Sequence, residues 1–354
     1  MKEYEVNMVK NVIDKALSGD ILNNEEIALL FEIPLFTYDS ALIQSAARGM
    51  CEEASNGLAE VHAQVGLDIA RCPRNCRFCS FAACNKVFTE SIELPVEEIM
   101  TRVYEFESDG ANAIYLMTTA RYPFEKFIEI GQEVRKSLQP DTILVANIDD
   151  FSEEQAVKLK DAGFSGVYHA LRLGEGRDTT IPPEKRLRTF INAKEAGLFL
   201  GTCVEPVGPE HTIDELVEKT IITREASPVY SGAARRIPIP NTELAKYGIV
   251  SEARMAHILA VVRLALGYAI QGNCTHEPNV VGAAAGANLL WAETGSNPRD
   301  IEKETEGKRG MSVQQCRQIF KEAEWNVLSW PSKFFNPDKK LRISEVTHGI
   351  ACKD

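Results

Sequence analysis

Basic charge is scarce in this sequence. Its 354 residues carry 39 Lys and Arg against 51 Asp and Glu, a formal net charge of −12. That balance leaves no basic footprint for duplex DNA or an anionic membrane surface, so nucleic acid is not expected as a partner. Also missing is an uninterrupted apolar stretch of the roughly 18 residues that a membrane helix needs. The richest window, 255–272, is broken by His257, Arg263 and Gln271, and no membrane association is expected. The opening MKEYEVNMVKNVIDKAL scatters its charges and has neither an apolar h-region nor a small-residue cleavage site, which predicts a cytoplasmic chain. Internal repeats and low-complexity segments are absent as well.

What is present is a globular composition, 44% hydrophobic, which excludes wholesale disorder. Nine cysteines, an odd number in a large cytosolic-looking chain, argue against a disulfide framework and for metal or redox use.

Residues 1–56 read as a helical leader, with turn signals at Gly19-Asp20 and Asn23-Asn24 and with Asn24 expected to cap EEIALLFEI. From residue 60 onward the hydrophobic period alternates between short β-rich runs and longer helical patterns. Strands are expected over 60–70, 113–119, 142–148, 166–172, 198–205, 234–239, 268–273 and 288–293. Helices are expected over 96–109, 123–138, 152–162, 183–196, 212–225, 251–266 and 278–286, with a last one over 312–324. Gly163 and Gly197 stand where helices end before strands, the usual use of a C-cap glycine. This alternation predicts an α/β fold, a (β/α)8 TIM-type barrel over residues 57–295. A doubly wound open sheet is the competing arrangement. A short C-terminal helical extension, 296–354, closes with Cys352-Lys353-Asp354.

The informative stretch is Cys72-Pro-Arg-Asn-Cys76-Arg-Phe78-Cys79, a CxxxCxxC triplet in the loop after the first expected strand. Thiolates so spaced can converge on one iron–sulfur cubane while the loop offers backbone N–H groups to its sulfurs. Three ligands leave the fourth iron open to a substrate or cofactor. A closed structural zinc site needs four ligands, and Cys84 is the one residue that would complete it. Incidental core cysteines are the third reading, and the arginines at 71, 74 and 77 speak against it.

With Phe78 as the aromatic residue before the last cysteine, this motif resembles the signature of the radical S-adenosylmethionine (SAM) superfamily. The likeness runs over about residues 20–295, through stretches such as Glu195–Gly201, Ile237–Leu244 and Ala285–Asn288, and is greatest to the biotin synthase-like group. The resemblance implies that Cys72, Cys76 and Cys79 bind a [4Fe–4S] cluster whose open iron is chelated by SAM. It further implies an oxygen-sensitive enzyme with a flavodoxin- or ferredoxin-type electron donor and a small or carrier-protein-bound substrate, in cofactor or modified amino-acid biosynthesis.

The resemblance also distributes the cofactor contacts. The end of the second strand should meet the SAM amino group, but the family's Gly-Gly-Glu-like segment is replaced by Met117-Thr118-Thr119-Ala120, leaving Thr118 and Thr119. At the fourth strand Arg172 and Glu175 suit the methionine carboxylate and the ammonium or ribose. At the sixth, Arg236 and Ile237 would support adenine through main chain.

Two further cysteines lie where barrel enzymes keep their chemistry. Cys203 and Glu205 are two apart on the fifth strand, hence on one face, and Cys274 stands two residues from His276 after the seventh. Each thiol alone suits a buried core position. Together they suggest a second cluster, a metal bound with His276, or thiols that act on substrate. The second and third strands lack the cysteines that would hold biotin synthase's deep auxiliary cluster. Sulfur insertion, with archaeal-type lipoyl synthase as one form, leads the expected outcomes; carbon-skeleton rearrangement or metallocofactor maturation follows. A non-catalytic zinc or iron–sulfur protein, or an acid–base enzyme using Glu205, His276 and Arg172, are the readings from other classes.

Overall fold

The computed structural model describes residues 3–335; of the expected tail, residues 336–354, Cys352 among them, lie outside the described residues. Eight parallel strands close on themselves: β1 Leu58–Gly66, β2 Ala113–Met117, β3 Ile143–Asn147, β4 Gly166–Tyr168, β5 Phe199–Gly201, β6 Tyr230–Arg235, β7 Gly272–Cys274 and β8 Leu289–Gly295. Each pairs with the next, and β8 returns to β1 from Glu60↔Leu289 to Gly66↔Gly295. The arrangement is the barrel, not the open sheet.

Three helices, α1 Glu3–Leu17, α2 Asn24–Glu32 and α3 Tyr38–Ala54, form the leader. The connections between strands supply α4 Val96–Ser108, α5 Phe124–Ser137, α6 Glu153–Asp161, α7 Pro183–Glu195, α8 Ile213–Glu225, α9 Glu252–Leu266 and α10 Val280–Ala284. A last helix, α11 Val313–Glu322, follows β8. The cap of α2 is Asn23, one residue before the expected Asn24. Its side chain accepts from Glu26 N while Glu26 reaches back to the Asn23 N–H, so both orphan donors are met at once.

Both faces of β1 are buried, for different reasons. Val61, Ala63 and Val65 face the helices and join the apolar layer with Ile114, Leu116, Leu290 and Ala292. Glu60, His62 and Gln64 alternate with them and are buried too, on the interior face that the period-2 geometry of a strand assigns them. The interior holds Tyr115, Tyr168, Tyr230, Trp291, Cys203 and Cys274. His62 sits between Glu60, at 2.9 Å, and the Tyr115 hydroxyl, at 3.0 Å.

Helix α9 is buried on every side from Met255 to Leu266, because α1, α2, α3 and α8 cover the face away from the barrel. His257 finds the Leu30 carbonyl at 2.9 Å and Arg263 the carbonyls of Ile270 and Gly267. The 255–272 stretch is thus an interior helix as far as Leu266, and no described helix is long and apolar enough to cross a membrane.

The expected appendage after β8 is part of the barrel. Asn326–Val327 adds beside Leu58–Ala59, and Phe334 and Phe335 plug the floor among Tyr115, Tyr230 and Trp291. The Lys333 N–H donates to Glu60 at 2.7 Å.

Candidate active site at the barrel mouth

The cysteine loop leaves the C-terminal end of β1, the end where barrel enzymes build their sites. Local bonds hold its curl. Cys72 N donates to Phe81 O and Ala83 N to Cys72 O. Asn75 takes the left-handed conformation at φ 49°, and its side chain accepts from Cys84 N at 3.1 Å. The Asn85 amide donates to the carbonyls of Cys76 and Cys79 at 3.0 and 2.8 Å. Cys72, Cys76, Phe78 and Cys79 all line one cavity. Burial raises the Cys76 thiol to about 11 and the Cys79 thiol further; a bound cation reverses that preference, because a coordinating thiol is deprotonated. Cys84 is exposed, with its sulfur 3.4 Å from Asn85 Oδ1.

The same cavity is lined by Thr118, Thr119, Arg172, Arg236 and Ile237. Thr119 is held by Asp68, which accepts its N–H at 2.7 Å and its hydroxyl at 2.6 Å. Arg172 Nη1 is buried without a hydrogen bond, 3.8 Å from the nearest Glu175 oxygen; it is a guanidinium N–H free to meet a carboxylate. The head of Arg236 is taken by Glu210, so what this segment offers the cavity is its main chain and Ile237. These features fit a [4Fe–4S] cluster with SAM chelated beside it.

Glu175 is not brought to the cavity. Its carboxylate accepts from Arg172 N at 3.1 Å, Thr179 Oγ1 at 2.5 Å and Arg186 Nε at 3.3 Å, so it shapes the loop that presents Arg172.

Glu205 and His276 reach the cavity from the far side, and Cys203 and Cys274 lie just beneath them, 1% and 0% exposed. The expected fifth strand is broken: β5 stops at Gly201, and Val204–Val207 runs separately beside β6. Tyr168 unites these residues. Its hydroxyl donates to Glu205 Oε2 at 2.8 Å and lies 3.2 Å from His276 Nε2. The two sulfurs are 2.8 Å apart. Gly232, at φ 142°, makes this possible, since a Cβ there would fall 2.1 Å from Cys274 O.

Several cavity residues carry no motif in the sequence. Gln64 and Asn147 are joined at 2.7 Å, and Asp149 is paired with Arg74. Glu293 is gripped by Arg299 and Arg309, each at 2.8 Å. The one signal that exposes Gln64 is the alternation Glu60-Val-His62-Ala-Gln64, which shows polar side chains on a regular face without saying which face is interior.

Comparison with known proteins agrees with this geometry. The sequence pattern of the Radical SAM superfamily matches residues 68–221. A biotin synthase of Desulforudis audaxviator is 27% identical over 267 residues, covering 73% of this chain and 80% of its own. One from Clostridium perfringens is 26% identical over 288 residues, covering 74% and 85%. Among solved structures, HydG, a maturase of the [FeFe]-hydrogenase, superposes with a TM-score of 0.79 at 17% identity over 94% of this chain and 78% of its own. Methylornithine synthase (PylB) superposes at 0.75 and 16% identity over 91% and 98%. At such identities the two structures speak for the fold.

Proposed function

We propose, for a chain that belongs to the radical SAM superfamily and its biotin synthase-like group, that it abstracts hydrogen from a small or carrier-borne substrate in cofactor or modified amino-acid biosynthesis. The substrate lies in the cavity between the cysteine triplet and the Glu205–Tyr168–His276 group. One observation carries this reading: a single cavity is lined at once by Cys72, Cys76 and Cys79, by Arg172, whose buried Nη1 has no hydrogen bond, and by Glu205 and His276. Bound there, the [4Fe–4S] cluster supplies the electron that splits SAM into methionine and the 5′-deoxyadenosyl radical.

The chain's own residues do the rest. Arg172 receives the methionine carboxylate, charge against charge in a partly desolvated site. Thr119, fixed by Asp68, and the neighbouring Thr118 offer oxygens to the ammonium. Ile237 packs against the adenine. The aromatic filling beneath the mouth excludes water, so a carbon radical meets only the substrate and chosen side chains. Electrons come from a flavodoxin- or ferredoxin-type donor, which suits a cytoplasmic address.

Two outcomes of abstraction fit the cavity. Sulfur insertion accords with two thiols beneath it. Carbon-skeleton rearrangement is favoured by the packing of Tyr115, Tyr230, Trp291, Phe334 and Phe335, which fills the depth where an auxiliary cluster would sit. Stoichiometry separates them, because each C–H bond replaced by C–S consumes one SAM whereas a rearrangement returns its hydrogen.

The test is anaerobic reconstitution with SAM and dithionite. The expected result is about four irons and four sulfides per chain, with deoxyadenosine formed. Cys72→Ala, Cys76→Ala or Cys79→Ala should abolish both, whereas Cys84→Ala should change neither. A wild-type chain that holds one zinc on the triplet and makes no deoxyadenosine would overturn the proposal.

A further inference from the structure

We propose that Cys203, Cys274 and His276 form a second metal site, for a single divalent ion of the zinc class, beneath the floor of the substrate cavity. Among the described residues they are the one set of three such donors whose ligand atoms all lie within 4.8 Å of one another, and all three are buried. The triplet at the rim is not such a set. Cys203, Cys274 and His276 converge as closely as one ion requires.

The surroundings support a mononuclear ion over a second cluster. Tyr168 and Trp291 close in on His276, with the Trp291 ring stacked at 5.1 Å and 9°, and Tyr115 and Tyr230 occupy the space below. Those neighbours are rings without thiol donors, which gives a two-iron rhomb no further ligand there. One ion fits once the sulfurs part from 2.8 Å to the roughly 3.8 Å that two bonds of about 2.3 Å subtend in a tetrahedron.

The imidazole is already prepared to ligate. The Tyr168 hydroxyl has one proton and gives it to Glu205, so it accepts from the Nε2–H of His276. That leaves the lone pair on Nδ1 for an ion, and a His276 ring nitrogen lies within 4.8 Å of both sulfurs. A partner on the second ring nitrogen is the usual support of a metal-binding histidine. Two thiolates and an imidazole suit zinc far better than magnesium or calcium.

Because His276 and Tyr168 line the cavity, an ion here would lock the ring and, through Tyr168, the Glu205 carboxylate. That role at the floor of the substrate cavity rests on the radical reading above; the ion's presence does not.

The experiment counts metals in holoenzyme reconstituted with iron, sulfide and zinc. The expected result is one zinc per chain in addition to the triplet's four irons. Cys203→Ala, Cys274→Ala and His276→Ala should lose that zinc and keep the irons, while His276→Cys, which keeps a donor in place, should retain it. Cobalt added to the iron-free full-length chain should give the intense visible bands of a tetrahedral thiolate site, absent from Cys203→Ala. The triple variant Cys72→Ala/Cys76→Ala/Cys79→Ala should still bind zinc, which separates this site from the radical chemistry. No stoichiometric zinc in wild type, zinc unchanged in the three alanine variants, or extra iron with extra sulfide in its place would each overturn the proposal.

Discussion

Glu293 lies in the C-terminal half of β8 with 4% of its surface exposed, and only its partners keep it ionised there. Burial by itself would raise its carboxyl, but the guanidinium groups of Arg299 and Arg309 outweigh that and hold it at about 2. A folded value below the ordinary 4.5 means that this group stabilises the fold above about pH 4.5. The contribution fades as pH falls from there toward 2. Glu293→Gln should therefore flatten the acid limb of a stability–pH profile. At neutral pH it should cost about 3–5 kcal/mol, the range for breaking a buried ion pair from one side, read by denaturant unfolding. An unchanged acid limb would show that the pair contributes nothing net. The Cys72, Cys76, Cys79 motif was legible as chemistry before any fold was known, because three thiols in eight residues have few other uses. Glu175 was not: its carboxylate looked available for SAM, and only the folded loop shows it consumed by Thr179 and Arg186.

Helices in this chain begin at side-chain caps or, for α4, α5 and α7, at Pro95, Pro123 and Pro182, and those ends agree with the sequence to within a residue or two. Ser152, Thr212 and Ser312 each close a capping box, as does Asn23 for α2. Asn23→Ala should lower stability by about 1 kcal/mol, measured by thermal melting, with Asn24→Ala nearly neutral; the reverse order would return the cap to the expected residue. Strands were less legible. The sixth was expected over 234–239 and lies at Tyr230–Arg235, because Pro238 and Pro240 cannot supply ladder N–H groups while the small Ser231-Gly232-Ala233 run can approach β7. The fifth was expected as one piece and is two, with the break at Thr202-Cys203 carrying the thiol inward. Neither a proline rule nor a period shows where a neighbouring strand demands closeness.

Across the whole molecule the barrel is sealed below and open above. Phe334 and Phe335, each 3% exposed, close the floor. Phe335→Ala should cost about 3–5 kcal/mol through the cavity it leaves, with iron content of the folded fraction preserved, since the triplet sits at the opposite end. Loss of iron at unchanged stability would mean that floor and mouth are coupled. The sequence by itself determined the class of fold, the triplet and the family it resembles, because strand–helix alternation and thiol spacing are local properties written along the chain. Tertiary structure alone decided that Tyr168 joins Glu205 to His276, that Cys203 meets Cys274 across 71 residues of chain, and that Phe334 and Phe335 plug the barrel. Those are facts about which strand faces lie opposite across a closed barrel, and closure is a property of all eight strands together.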